Sequence, residues 1–149
     1  MAQPKFITNP TYDALHNAAI TIVREARTLD WIDAVVAPAR GGLMFGMIAS
    51  HKLNVPMVAI KYSSKEGRGD DKNHDNVLPD INAKTILLVD DIVDSGLTMK
   101  EIVEHYESKG VRVISAAFHY KEGAAFHPDL YFWRIPADSE FICYPYENS

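Results

Sequence analysis

Apolar positions fall into alternating helix-period and strand-like stretches along the chain. Thr11 can cap a helix over residues 12–29, because Tyr12, Leu15, Ala19, Ile22, Val23 and Ala26 recur on one face at helical spacing. Ala34, Val35, Val36 and Ala37 form an unbroken apolar run, which suits a strand buried on both faces of a parallel sheet. Residues 38–42 interrupt it with Pro38, Gly41 and Gly42. Residues 43–53 return to helical spacing, with Leu43, Met47 and Ile48 predicted inward. A strand over 56–62 carries Val58 and Ile60, and a central strand opens at Thr85 with Ile86, Leu87, Leu88 and Val89. That strand is predicted to stop at Asp90 and Asp91. A helix over 98–109 closed by Gly110, a strand over 111–119 and a short strand over 130–133 complete the pattern. Strands alternating with helices predict an α/β domain with a parallel sheet flanked by helices.

Composition narrows the function classes. The chain has 149 residues, enough for one domain burying roughly two-thirds of its unfolded surface. Fifteen basic against twenty acidic residues give a net charge of −5, whereas nucleic-acid binders usually carry a basic excess. Cys143 is the single cysteine, so no internal disulfide can form, and a cytoplasmic protein is expected. Residues 1–9 hold no apolar core of a secretory signal, and no apolar run approaches the ~20 residues of a membrane span.

Candidate chemistry clusters after the central strand. Asp90, Asp91, Asp94, Ser95, Gly96, Leu97 and Thr98 lie between a buried strand and a helix start. Ligands in open α/β sheets sit at the carboxyl ends of strands, and helix starts offer N–H groups to phosphate. Two carboxylates beside an anion site suit a sugar diol or Mg²⁺. Thr98 and Glu101 also fit a capping box. A second loop, Ala39-Arg40-Gly41-Gly42-Leu43, follows the first strand, and its glycines let backbone approach an anion. Neither G-x-x-x-x-G-K-[ST] nor G-x-G-x-x-G occurs, which counts against a nucleoside triphosphatase or a dinucleotide enzyme. Residues 63–83 are polar, with Gly67 and Gly69 as hinges, and a loop of about twenty residues between central strands is expected to be a lid. His74, His119 and His127 lack metal-ligand spacing and read as structural or solvated.

The stretch 85–98, TILLVDDIVDSGLT, resembles the phosphoribosyl-pyrophosphate-binding motif of type I phosphoribosyltransferases, and the resemblance extends over about residues 33–147. It implies a Rossmann-like parallel sheet with a flexible lid loop over 63–83 and a small C-terminal base-binding hood over 134–149. It also implies phosphoribosyl pyrophosphate held by Arg40, Gly41, Gly42, Asp90, Asp91, Asp94, Ser95, Gly96, Leu97 and Thr98, with Mg²⁺ at Asp90 and Asp91. An acid at Asp94 is similar to the 6-oxopurine branch, where it sits near N7 of the base and acts in catalysis. Lys121 resembles the lysine that meets O6, Phe141 the aromatic that stacks on the purine, and Ile142 the residue whose carbonyl meets the 2-position. The implied activity is transfer of a phosphoribosyl group to guanine, xanthine or hypoxanthine by a homodimer or homotetramer, closest in pattern to xanthine-guanine enzymes. Ser95, Ala39 and Tyr146 depart from the family's usual Thr, Ser and Trp. The order Tyr62-Ser63 reverses the Ser-Tyr pair common in the family's lid. The rival readings are a phosphoribosyl-pyrophosphate-sensing regulator of the same fold and a transferase for another nucleobase.

Overall fold

The computed structural model describes residues 9–64, 78–139 and 141–147. The elements are α1 (Tyr12–Leu29), β1 (Ala34–Pro38), α2 (Leu43–Leu53), β2 (Met57–Ile60), β3 (Thr85–Val93), α3 (Leu97–Ser108), β4 (Arg112–Lys121), β5 (Leu130–Ile135) and a closing 3₁₀ turn (Pro145–Glu147). The five strands form one parallel sheet in the order β2-β1-β3-β4-β5.

The strands sort their side chains by alternation. Leu87 and Val89 of β3 join Ile114, Ala116 and Phe118 of β4 in a core with α1 and α2. Ile86 and Leu88 turn the other way and pack with Val113, Ala117 and Met99, Ile102 and Tyr106 of α3. Covering both faces explains why these strands read as continuous apolar runs. Burial of side chains this size contributes about 1.5–3 kcal/mol each.

Thr11 caps α1 as expected, its Oγ1 accepting from Ala14 N at 3.1 Å. Two facing assignments are corrected. Tyr12 and Met47 are 54% and 52% exposed, while Phe45, Gly46 and Ala49 are the inward positions of α2. The α2 sequence is apolar on nearly every face, so periodicity cannot phase it. Its phase is set by close approach to the sheet, where a Cβ on Gly46 would stand 2.7 Å from Ala37 Cβ. Strand bounds shift as well. β3 continues past the acidic pair because β4 keeps pairing with it as far as Val93↔Tyr120. β4 and β5 run on to Lys121 and Ile135 because they pair with each other to that point.

Most of the expected lid lies outside the described residues. Its far end is docked rather than free, since Leu78, Ile81 and Ala83 pack against the α3-side core and Tyr106 Oη donates to Pro79 O at 2.8 Å. Within the expected hood, Ile142 and Tyr144 are buried against the α1-side core. Among the described residues, no helix is long and apolar enough to cross a membrane.

The chain leaves β1 toward β2 on one side and takes up β3 on the other. The carboxyl ends of β1 and β3 therefore flank a topological switch point, where ligands of open α/β sheets bind.

Candidate active site

A cleft of about 730 Å³ opens at that switch point. Arg40, Gly41, Asp90, Asp91, Asp94, Ser95, Gly96 and Thr98 line it, together with Tyr62, Tyr146 and Glu147. Gly42, Leu97, Lys121, Phe141 and Ile142 are not among the lining residues.

The turn after β3 is built around Gly96, the N-cap of α3, at φ 84. An L side chain is strained there, and a Cβ would also stand 2.6 Å from Phe126 N. Ala125 N donates to Ser95 O at 2.7 Å, and Leu97 N to Ser95 Oγ at 3.3 Å. The capping box expected of Thr98 and Glu101 is absent, because the left-handed glycine starts the helix before Thr98. Thr98 Oγ1 accepts from Ser64 N at 3.1 Å, and Glu101 Oε1 accepts from Tyr62 Oη at 2.7 Å. Both side chains thus hold the near root of the expected lid. A hydroxyl that accepts one bond still has its proton to give to a phosphate oxygen.

The loop after β1 is folded tightly. Gly42 N donates to Pro38 O at 2.9 Å, Leu43 N to Arg40 O at 3.1 Å, and the Ala39–Arg40 peptide bond is cis. Its glycines answer to a protein neighbour. A Cβ on Gly41 would stand 2.5 Å from Asp91 Oδ2, and one on Gly42 2.7 Å from Val89 O. The loop therefore presses directly on the end of β3, and Arg40 is exposed in the cleft.

Asp91 N donates to Asp90 Oδ1 at 2.8 Å, and Ile92 N to Asp91 Oδ1 at 2.7 Å. Burial, and then the charge of Asp91, raise the Asp90 carboxyl well above the usual carboxylate range. Burial raises Asp91 too, although Tyr146 donates to its Oδ2 at 3.1 Å and opposes the shift. Glu147 is raised by burial and by Asp91. Paired hard carboxylate oxygens at the cleft fit Mg²⁺. Among the described residues no group of three or more His, Cys, Asp and Glu side chains could hold a metal ion.

Beside the cleft, Lys121 Nζ meets Asp94 Oδ1 at 3.1 Å, with the two side chains 28% and 65% exposed. Phe141 is 81% exposed and Ile142 is buried. His119 is structural: it stacks on Trp133 at 4.7 Å, and its Nδ1 lies 2.7 Å from Tyr144 Oη. Tyr144 Oη gives its own proton to Asp91 O at 2.9 Å, so His119 Nδ1 carries the hydrogen of their shared bond. Burial and the charge of Asp91 push the Tyr146 phenol far up, so it keeps its proton and remains a donor. Sequence reasoning missed the tyrosine contacts to Asp91. The only local signal was an aromatic pair in Tyr144-Pro145-Tyr146, which does not say what it touches.

A glycine-started helix, a glycine loop and a buried acid pair thus meet at one switch point. The pattern of the phosphoribosyl transferase domain matches residues 9–147, and the chain belongs to that family. It is similar to a xanthine-guanine phosphoribosyltransferase of Idiomarina loihiensis, 30% identical over 98 residues, covering 63% of this chain and 61% of the relative. It is also similar to an orotate phosphoribosyltransferase of Sulfurisphaera tokodaii, 28% identical over 105 residues, covering 70% of this chain and 51% of the relative. The chain thus spans between about half and three-fifths of these relatives' lengths. Its parallel sheet flanked by helices is the type I phosphoribosyltransferase fold. The purine phosphoribosyltransferase structure from Pyrococcus horikoshii superposes with a TM-score of 0.78 at 22% identity, covering 95% of this chain and 94% of that one.

Proposed function

We propose that the chain transfers the 5-phosphoribosyl group of phosphoribosyl pyrophosphate to a 6-oxopurine, giving a nucleoside monophosphate and pyrophosphate. The observation that carries the base assignment is the Asp94–Lys121 pair. A 6-oxopurine protonated at N7 offers a donor there and an acceptor at O6, side by side. Asp94 and Lys121 offer an acceptor and a donor, side by side. Adenine presents an amino group in place of O6 and would face the ammonium donor to donor.

In this reading the 5′-phosphate sits on the N–H groups and hydroxyls of Ser95, Gly96, Leu97 and Thr98. Arg40 and the backbone of Gly41 and Gly42 receive the pyrophosphate. Asp90 and Asp91 take the ribose hydroxyls and would hold Mg²⁺, whose contribution is to neutralise pyrophosphate charge. As the C1′–O bond to pyrophosphate breaks and the C1′–N9 bond forms, the base must lose one proton. Asp94 accepts it from N7, and Lys121 donates to O6. Phe141 stacks on the base once the exposed ring is covered, and the Ile142 carbonyl meets the 2-position. Holding the reactants in line and excluding water supply the remaining rate enhancement. The lid over 63–83, a hood over 134–149, cytoplasmic location, a place in purine salvage, and a homodimer or homotetramer belong to the same reading.

The similarity to an orotate phosphoribosyltransferase favours a second reading, a transferase for another base. Turnover measured with guanine, xanthine, hypoxanthine, adenine and orotate, each with phosphoribosyl pyrophosphate and Mg²⁺, separates the two. Use of a 6-oxopurine with little use of adenine or orotate is expected. Turnover of orotate alone overturns the proposal.

A further inference from the structure

The end of the described chain returns to the acidic pair. Tyr146 Oη lies 3.1 Å from Asp91 Oδ2 and 3.3 Å from Gly41 O, so one hydroxyl proton is shared between β3 and the loop after β1. The other oxygen of Asp91 already accepts from Ile92 N at 2.7 Å. Both carboxylate oxygens are therefore held from the protein side, and the rotamer of Asp91 is set before any ligand arrives. A Cβ on Gly41 would stand 2.5 Å from Oδ2, so the loop backbone packs directly against the carboxylate.

Tyr146 is itself held firmly. Its ring stacks on Tyr144 at 5.4 Å and 22°. Tyr144 bonds the backbone oxygen of Asp91 and the ring of His119, and His119 stacks on Trp133. The hydroxyl is thus delivered to the cleft at the end of a buried aromatic column.

We propose that Tyr146 is a positioning residue for phosphoribosyl pyrophosphate: it locks the Asp91 carboxylate to the Gly41 carbonyl so that the acid and the glycine loop meet one ligand together. This rests on the reading of the cleft given above. A side chain that orients a ligating carboxylate is typically worth 10–100-fold in affinity or activity. A merely structural tyrosine would act through the stack and the core instead, and removing its hydroxyl would leave the cleft unchanged.

The test is Tyr146→Phe, which keeps the ring and its stack on Tyr144 and removes only the shared proton. Three quantities are compared with the parent: the thermal midpoint, the amide exchange rates of Gly41 and Gly42, and the calorimetric affinity for phosphoribosyl pyrophosphate with Mg²⁺. The expected result is a nearly unchanged midpoint, faster exchange confined to the loop, and affinity about tenfold weaker. A parent that binds and a variant that binds equally well overturn the inference while leaving the functional reading intact. A variant that fails to fold overturns it too, since Tyr146 would then be a structural prop. A parent that does not bind removes the functional reading and this inference with it.

Discussion

Lys121 Nζ stands 3.1 Å from Asp94 Oδ1, joining the last residue of β4 to the loop that follows β3. Both side chains are partly exposed, so the pair adds at most about 1 kcal/mol to stability. Its value lies in presenting a donor beside an acceptor. Lys121→Ala is therefore expected to leave the thermal midpoint within a few degrees and to weaken 6-oxopurine use about tenfold or more. Rejection of adenine by the parent should approach ~10⁴-fold, the scale for sites built to hydrogen-bond a missing group. Steady-state kinetics with guanine and adenine check both.

Asp94→Asn keeps the shape of the side chain but cannot accept a proton. Turnover should fall about 10²-fold, the lower range for general acid–base catalysis, while affinity for phosphoribosyl pyrophosphate changes little. Single-turnover rates and calorimetry separate the two effects. A variant with parental turnover removes Asp94 from catalysis.

Asp90 is raised by burial and by Asp91, so the folded state holds its proton more tightly than the unfolded state does. The stability lent by that proton is fully present below the unfolded carboxylate value. It is lost as pH rises through the raised folded value. Asp90→Asn should thus raise the thermal midpoint of the metal-free protein at neutral pH, with the gain shrinking toward acid. The same change should abolish Mg²⁺-dependent binding of phosphoribosyl pyrophosphate. Thermal melts across pH with a chelator, together with calorimetry, check the two halves.

Gly96→Ala places a Cβ at φ 84 and within 2.6 Å of Phe126 N. The left-handed conformation alone costs about 1–2 kcal/mol, and the clash adds to it. Urea unfolding should show a loss of at least that size. Affinity for phosphoribosyl pyrophosphate should fall more than stability predicts, because the displaced N–H groups are those proposed to receive the phosphate.

Thr98→Val removes the acceptor of the Ser64 amide and the hydroxyl that faces the cleft. Faster exchange at Ser64 and roughly tenfold weaker binding of phosphoribosyl pyrophosphate are expected together, on the scale of a hydrogen bond to a charged group. Unchanged exchange at Ser64 would show that the segment at Ser64 does not depend on Thr98.

The order of helices and strands, and the run from Ile86 to Thr98, were legible in the sequence because their causes are local. Four apolar residues in a row demand burial on both faces, and Asp-Ser-Gly demands a turn. Gly96 as part of the small-residue turn before the helix was legible for the same reason, since its backbone conformation belongs to one residue. Other features belong to pairs far apart in the chain. The phase of α2 depends on Gly46 meeting Ala37, which a helix apolar on almost every side does not announce. With Gly96 rather than Thr98 at the N-cap, the Thr98 and Glu101 side chains turn to Ser64 and Tyr62, which local sequence does not announce. Asp91 gained its partner only when strand order and register carried Tyr146 across the sheet's end to it. Local sequence determined which chemical groups this protein has and the elements that bear them. Tertiary packing alone decided which groups touch, because hydrogen bonds of about 3 Å between distant segments exist only after the sheet has set their separation.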